Sequence, residues 1–203
     1  MGIFDQYMSY SKIDIILELT AVVFSIISVV YSKKNNIKVY PYGIVSVLIY
    51  LYLFYKWELL GELLIYIYYL MMSVYGWVLW GNNKKGNYLK ISKLNKKDVV
   101  GAVAVLTMSL LLVITVYYKT DKLKEWWATV DIVTSSIFFV GMFLLAKRKL
   151  EHWLVLLAGN ILCVPMFYHK GYAFTAILYL MYTIIAIVGY LEWKKVYKTE
   201  LTE

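Results

Sequence analysis

The sequence predicts an all-α integral membrane protein with seven transmembrane helices. Hydrophobic residues make up 62% of its 203 residues and charged residues only 17%, whereas a soluble domain is about 45–50% apolar and about 25% charged. The apolar residues form blocks of roughly 20, the length at which a helix crosses a hydrocarbon core of about 30 Å. Tyrosine and tryptophan cluster at the ends of these blocks, which is typical of the aromatic belts at membrane interfaces.

Each apolar block is expected to be a helix, because lipid offers no hydrogen-bond partner to an unpaired backbone amide or carbonyl. The blocks also lack the alternating polarity of strands in a membrane β-barrel. The predicted spans cover approximately residues 13–32, 40–55, 59–80, 99–118, 126–146, 150–168 and 171–193. The whole chain, 1–203, is therefore predicted to form a single membrane domain.

Local sequence features support these spans in order. The first contains the apolar run AVVFSIISVVY, and the second begins at Pro41, a residue favoured in the first turn of a helix. The third ends in GWVLW and is followed by the polar loop GNNKKGNYLKISKLNKKD. The fourth ends in YY, and the fifth begins with WW. The sixth contains Pro165, which removes one backbone hydrogen bond and predicts a kink, and the seventh ends in GYLEW.

Lysine and arginine are distributed unequally between the two sides of the predicted membrane. Of the 21 basic residues, the side of the N-terminus carries only six, and the other side carries the remaining fifteen. The six are Lys12, Lys56, Lys119, Lys122, Lys124 and Lys170. Because basic loops stay in the cytoplasm, the N-terminus is predicted outside the cell and the C-terminus inside. The same bias explains the net charge of +8 without a nucleic-acid partner.

The sequence matches itself at an offset of 113 residues. The aligned pairs are Glu18 with Asp131, Lys34 with Lys147, Tyr66 with Tyr179, Tyr69 with Tyr182, Gly76 with Gly189, and Trp80 with Trp193. We predict two three-helix repeats, 13–80 and 126–193, joined by a linker, 81–125, that contains the fourth helix. An odd number of linking helices makes the two repeats parallel, and solute sites in such proteins lie between the repeats near the midplane.

Short motifs recur in a fixed order along both halves. The first half contains ELTAVVFSIISVVYS, Asn36, PYGI and YGWVLW; the second contains Asp131, KLEHW, Asn160 and GYLEW. In order and spacing, these motifs resemble the PnuC-type vitamin transporters, whose best-known members take up nicotinamide riboside. The resemblance covers nearly the whole chain.

The resemblance implies a three-plus-one-plus-three fold related to the SWEET sugar transporters. It also implies a homotrimer in the bacterial inner membrane, without a cofactor, that works by facilitated diffusion and alternating access. A cytoplasmic kinase would then trap the solute inside the cell. The sixth helix of the family carries W-x-x-W-x-x-x-N or D, and Trp153 and Asn160 match its first and last positions. Leu156 replaces the second tryptophan, so nicotinamide riboside is the first expectation and thiamine or riboflavin the alternative.

Asn160 and Trp153 are the first candidates for solute contact. They lie seven residues apart, about two turns, and so share one face of the sixth helix. A carboxamide at membrane depth is costly without a partner, which a hydroxyl or amide of the solute would supply. The alternative for Asn160 is a hydrogen bond to a neighbouring helix. For Trp153 it is a position at the membrane interface.

Tyrosines and one acid complete the predicted site. Tyr66 and Tyr69 form an i, i+3 pair in the third helix, and Tyr179 and Tyr182 form the matching pair in the seventh. Their rings and hydroxyls are expected to line the path, although many of the 21 tyrosines will simply pack. Glu62, early in the third helix, would select a cation such as nicotinamide riboside or thiamine; its alternative is a position favoured by the helix dipole.

The sequence argues against other classes of function. A lipid-modifying membrane enzyme would need clustered acids or histidines, and the two histidines here, His152 and His169, are well separated. No metal site is expected, and no phosphate-binding loop supports an ATP-driven pump. Glu18 and Asp131 are expected to do structural work at matching helix contacts. A scaffold or receptor would not need the repeat.

Overall fold

The computed structural model describes residues 11–57, 60–81 and 89–202, and within its helices the side chains of residues 60–61, 173–174 and 202 are not described. In these ranges the chain forms seven α-helices. They are α1 (Lys12–Lys33), α2 (Val39–Lys56), α3 (Leu60–Gly81), α4 (Lys96–Lys119), α5 (Ala128–Ala146), α6 (His152–His169) and α7 (Ala173–Thr202). All seven are long and apolar enough to cross a membrane, so the predicted spans are confirmed. The predicted start of α3 at residue 59 lies outside the described residues.

Local capping decides where some helices begin. The Ser11 side chain accepts a hydrogen bond from the amide of Asp14 and begins α1. Asn95 and Asp98 form a reciprocal capping box, so α4 begins at Lys96 rather than near residue 99. The prediction that α7 ends near residue 193 was too short. Its last turns are charged, and there the Glu200 carboxylate accepts the amide of Ile91 at 3.1 Å.

The helices pack as two groups of three with α4 at the side. In the first trio α1 packs on α2 and α2 on α3; in the second trio α5 packs on α6 and α6 on α7. The trios meet where α3 packs on α5 and α1 on α7, and α4 lies mainly against α5. We call the side on which α1, α3, α5 and α7 begin the N-terminal face, and the side on which they end the C-terminal face.

Tryptophans at the C-terminal face join the two trios. The indole N–H of Trp193, on α7, donates to the carbonyl of Ser32 at the end of α1, at 2.8 Å. The indole N–H of Trp80, on α3, donates to the carbonyl of Ala146, the last residue of α5, at 3.2 Å. Each tryptophan therefore caps the first helix of the opposite trio. The four odd-numbered helices consequently end on the same face.

A cluster of four rings fills the space between these ends. Tyr40 meets Trp80 edge to face with centroids 5.1 Å apart, and Trp153 meets Trp193 in the same way at 6.0 Å. Trp80 and Trp193 then contact each other at 5.8 Å. The members of this four-ring cluster pair at the 113-residue offset, Tyr40 with Trp153 and Trp80 with Trp193. The same ring contact therefore occurs once in each trio.

Two glycines make room for the cluster. A Cβ atom on Gly76 would collide with the Tyr40 ring, and a Cβ on Gly189 would lie 2.6 Å from the Trp153 ring. These glycines are also 113 residues apart. Small residues allow the close helix approach that drives packing in a bilayer, where neighbouring lipid is as apolar as the side chains.

Replacing Gly189 with alanine should open this packing. The added methyl group cannot fit beside the indole of Trp153, so we expect a loss of roughly 1–3 kcal/mol of stability, the usual cost of overpacking. The measurement is the thermal unfolding midpoint of the purified protein in detergent. Gly81→Ala is the matched control, because its Cβ would meet Ile37 at an ordinary 3.5 Å. Equal midpoints for the two variants would contradict the close packing described here.

Candidate functional site

A cavity of about 940 Å³ lies between the trios and opens toward the N-terminal face. Its lining comes from the end of α2, from α3 to α7, and from the turns that connect α4 to α5 and α6 to α7. The deepest lining residues, such as Tyr69 and Phe138, reach about the middle of their helices. The cavity therefore ends near the midplane of the bundle.

Aromatic rings form two matched walls of the cavity. Tyr66 meets Phe54 edge to face at 4.9 Å on the side of the first trio. Tyr179 stacks on Phe167 at 5.1 Å with an interplanar angle of 9° on the side of the second trio. Phe138 stacks on the same tyrosine at 6.1 Å. A flat ring that enters the cavity thus meets aromatic surfaces on both sides.

Four of the seven predicted site residues line this cavity. They are Glu62, Tyr66, Tyr69 and Tyr179. Tyr182 lies next to them, since its ring is 6.2 Å from that of Tyr179, but its hydroxyl bonds to Ser25 on α1 at 2.7 Å. Tyr182 therefore ties α7 to α1 beside the cavity.

The other two predicted residues lie below the cavity floor. Cys163 lines the cavity on α6, and Asn160 lies one turn nearer the C-terminal face, about 4.5 Å deeper, at only 6% exposure. Trp153 is 2% exposed and belongs to the four-ring cluster. Solute contact by Asn160 and Trp153 stays a prediction, and it requires the floor to move.

Asp131 also lines the cavity, although the sequence predicts only a structural role for it. Its carboxylate accepts the hydroxyl of Tyr117, which ties α5 to α4. The same carboxylate also lines the cavity. An acid inside an apolar span was the signal that could have pointed to this second position. Glu18, its partner at the 113-residue offset, is not among the lining residues.

Charges at the cavity mouth balance one another. Glu62 and Asp131 contribute carboxylates, and Lys122 and Lys170 contribute ammonium groups. The Lys170 ammonium lies 3.5 Å from the centre of the Trp127 ring. Burial lowers the pKa of Lys170 below its usual value, and the nearby carboxylate of Asp131 opposes that shift. The mouth is therefore polar and charged, while the interior is aromatic.

The opposite end of the bundle is held shut by the segment that precedes α4 and by the first turn of α4. Ser92 exchanges backbone hydrogen bonds with the turn between α5 and α6, donating to Arg148 at 3.2 Å and accepting from Leu150 at 3.0 Å. Asp98 pairs with Lys147 at 2.8 Å and with Lys149 at 2.6 Å. These contacts and the four-ring cluster separate the cavity floor from the C-terminal face.

Comparison with known proteins identifies the family. The chain matches the nicotinamide mononucleotide transporter family over residues 15–195. It belongs to that family. The nicotinamide riboside transporter PnuC of Neisseria mucosa is 26% identical, with the alignment covering 90% of this chain and 73% of that protein. PnuC of Escherichia coli is 20% identical over 87% of this chain and 84% of its own length.

Two further relatives extend the comparison. The riboflavin/roseoflavin transporter RibM of Streptomyces davaonensis is 23% identical over 94% of this chain and 87% of that protein. The crystal structure of the vitamin B3 transporter PnuC superposes with a TM-score of 0.67 at 24% identity, covering 90% of this chain and 82% of the other. This structural similarity confirms the fold. The chain is thus a multi-pass membrane protein of a transporter family.

Leu156 replaces the second tryptophan of the W-x-x-W-x-x-x-N or D motif. Its side chain contacts α5 and is not among the cavity-lining residues. A Cβ atom on Gly141 would lie 2.5 Å from the Leu156 side chain. Leu156 and Gly141 align with Gly43 and Ser28 at the 113-residue offset, and those two residues also touch closely. The substitution thus falls at a packed contact between helices.

Cysteine labelling can test whether water fills this cavity. In a Cys163→Ala background, Ser135→Cys would place a thiol on the cavity lining, whereas Ser136→Cys would place one at a fully buried position with 0% exposure. We expect a charged maleimide to label residue 135 at least about tenfold faster, because thiol reactivity follows exposure. Mass spectrometry of the purified protein gives both rates. Similar rates would show that the lining is not accessible.

Proposed function

We propose that this protein takes up nicotinamide riboside by facilitated diffusion through the cavity between its two trios. One observation carries the proposal: a family member whose relatives are named nicotinamide riboside transporters has an aromatic cavity with acids at its mouth. The cavity volume of about 940 Å³ is at the upper end of the range for small-molecule sites.

The chemistry of the lining suits this solute. Nicotinamide riboside joins a flat, positively charged pyridinium ring to a ribose. The aromatic lining, with Tyr66 on one wall and Phe138 and Phe167 on the other, offers surfaces for stacking and for cation–π attraction. Glu62 and Asp131 attract the positive charge, and neighbouring hydroxyl groups can pair with the ribose. When the cavity floor moves, the amide of the solute can form a hydrogen bond with Asn160, which lies one turn below that floor.

A nucleotide suits the cavity less well than a nucleoside. A phosphate adds about two negative charges at neutral pH and is best held by several arginines or by backbone amides. No arginine lines the cavity within the described part of the chain, and Lys122 and Lys170 are balanced by two carboxylates. The lining therefore favours the riboside over the mononucleotide.

Riboflavin and thiamine are the alternative solutes. The similarity to RibM extends over more of this chain than the similarity to either PnuC protein described above, which supports a flavin. Thiamine carries the positive charge that Glu62 and Asp131 would attract. Riboflavin is neutral and larger, so the acids at the mouth favour the two cations.

The transport cycle follows from the arrangement of the trios. We propose that they are parallel repeats, 13–80 and 126–193, because equivalent ring and glycine contacts recur 113 residues apart. The matched tryptophans, Trp80 and Trp193, also each cap the end of the first helix in the other trio. Opening the C-terminal face would require the four-ring cluster to separate. The indole N–H of Trp153 is buried and lacks a hydrogen-bond partner among the described residues, which supports its exposure to solute in that second state.

We propose that the C-terminal face lies in the cytoplasm and the cavity mouth outside the cell, because the C-terminal face carries fifteen of the 21 basic residues. We propose a homotrimer in the bacterial inner membrane, and a cytoplasmic kinase that traps the solute by phosphorylation. The protein itself acts as a carrier and not as an enzyme.

Binding measurements with a panel of solutes test the proposal. Purified protein is titrated by calorimetry with nicotinamide riboside, nicotinamide mononucleotide, thiamine and riboflavin. We expect the riboside to bind at least about 100-fold more tightly than the mononucleotide, a difference of about 2.7 kcal/mol. The same ranking should appear in uptake by proteoliposomes. Tighter binding of thiamine or riboflavin would overturn the choice of solute.

Asn160→Ala should abolish uptake while the protein still inserts and assembles. Loss of a buried partner for a polar solute group costs enough to reduce uptake by about 100-fold or more. Uptake of labelled nicotinamide riboside is measured in proteoliposomes, with size-exclusion chromatography as the test of assembly. Asn160→Asp, which keeps a hydrogen-bond acceptor, should retain part of the uptake. Normal uptake by the alanine variant would remove Asn160 from the site.

A further inference from the structure

The turn between α6 and α7 places a positive charge inside the cavity mouth. The ammonium of Lys170 lies 3.5 Å from the centre of the Trp127 ring and 5.3 Å from that of Phe167. Both distances are within the range of about 6 Å in which a cation is attracted to an aromatic face. The side chain is half-buried, and Gly171 follows it with a φ of 84°, which turns the chain sharply into α7.

The rings around this ammonium are held by other contacts. Trp127 packs edge to face against Tyr117 at 6.0 Å, and Phe167 stacks on Tyr179. The hydroxyl of Tyr117 donates to Asp131, so a carboxylate is anchored in the same part of the lining. We call Trp127, Phe167 and Asp131 the cation cage. Its rings and its acid keep their positions through these neighbours rather than through Lys170.

The cage has the composition of a site for a cationic ring. Faces of tryptophan and phenylalanine with a nearby carboxylate are the groups that recognise organic cations. All three members line the cavity, on the route from its mouth to the deeper tyrosines. Lysine has a flexible four-carbon stem, so its ammonium can leave the cage without a change in the backbone.

We propose that the cation cage is an outer binding site for the positively charged ring of the solute, and that Lys170 occupies it when no solute is present. This inference rests on the proposed function for the identity of the solute. Lys170 then acts as an internal competitor that a cation must displace. A neutral or anionic solute gains little from displacing it, so the cage selects by charge before the solute reaches the midplane.

Substitutions at Lys170 test the cage directly. Lys170→Gln empties it, and binding of both nicotinamide riboside and tetramethylammonium to the purified protein should tighten by about tenfold. Lys170→Arg keeps a cation over the rings and should bind both probes as the wild type does. Trp127→Leu combined with Lys170→Gln removes the main face and should lose the gain. Calorimetry gives each dissociation constant, and thermal unfolding checks that each variant is folded.

Lys122→Gln is the control that measures the effect of removing one positive charge from the cavity lining. It removes the same charge from the cavity lining but leaves Lys170 in the cage, so we expect a gain of at most about twofold. Equal gains for Lys122→Gln and Lys170→Gln, or a gain that survives the loss of Trp127, would overturn the inference. If nicotinamide riboside bound to none of the variants while tetramethylammonium showed the predicted pattern, the cation cage would be supported and nicotinamide riboside would be rejected as the solute.

Discussion

The hydrogen bonds from Trp80 and Trp193 to opposite helix ends are the contacts on which the architecture depends. The last carbonyls of a helix have no partner within it, and leaving one unpaired away from water is costly. Here one tryptophan in each trio donates its indole N–H to a carbonyl in the last turn of the first helix of the other trio. The same rings fill the space between the trios, so one arrangement satisfies backbone groups and excludes water.

Closure at one face explains the opening at the other. The trios are joined at their C-terminal ends by large rings packed over glycines, and Arg148 on one side of this junction bonds to Asn35 on the other at 2.9 Å. Toward the N-terminal face, the lining between α3 and the second trio is aromatic and encloses the cavity. The cavity thus lies where the contact between the trios loosens, and it ends near the midplane.

Charged side chains have two kinds of role between the two faces: some join helices, and others line the cavity. At the C-terminal face, Asp98 with Lys147 and Lys149 fastens α4 to the turn between α5 and α6. At the N-terminal face, Asp14 and Lys56 join α1 to α2 at 2.7 Å, outside the cavity lining. Among the described residues, and leaving His169 aside, the charged side chains in the cavity lining are Glu62, Asp131, Lys122 and Lys170. Apart from Asp131, which also bonds to Tyr117 on α4, these mouth charges can therefore change without loosening the fold.

The sequence by itself determined the seven helices, because the length and apolarity of each block leave a helix as the only structure that satisfies its backbone in lipid. It also pointed to Tyr66, Tyr69 and Tyr179, whose spacing places them on matched helix faces, and to Glu62, an acid early in the third helix. All four line the cavity. Family membership followed from the order of the motifs.

Tertiary structure decided which helix faces meet. An apolar side chain can face lipid or a neighbouring helix equally well, so apolarity alone does not show which faces pack together. Periodicity could not show that Trp153 packs against Trp193, that Asn160 lies beneath the floor, or that Leu156 contacts Gly141. Nor could it bring Lys170 over Trp127, since these residues come from turns that are distant in the chain. The cavity and its charges arise from contacts between the two trios, and such contacts have no signature in either segment alone.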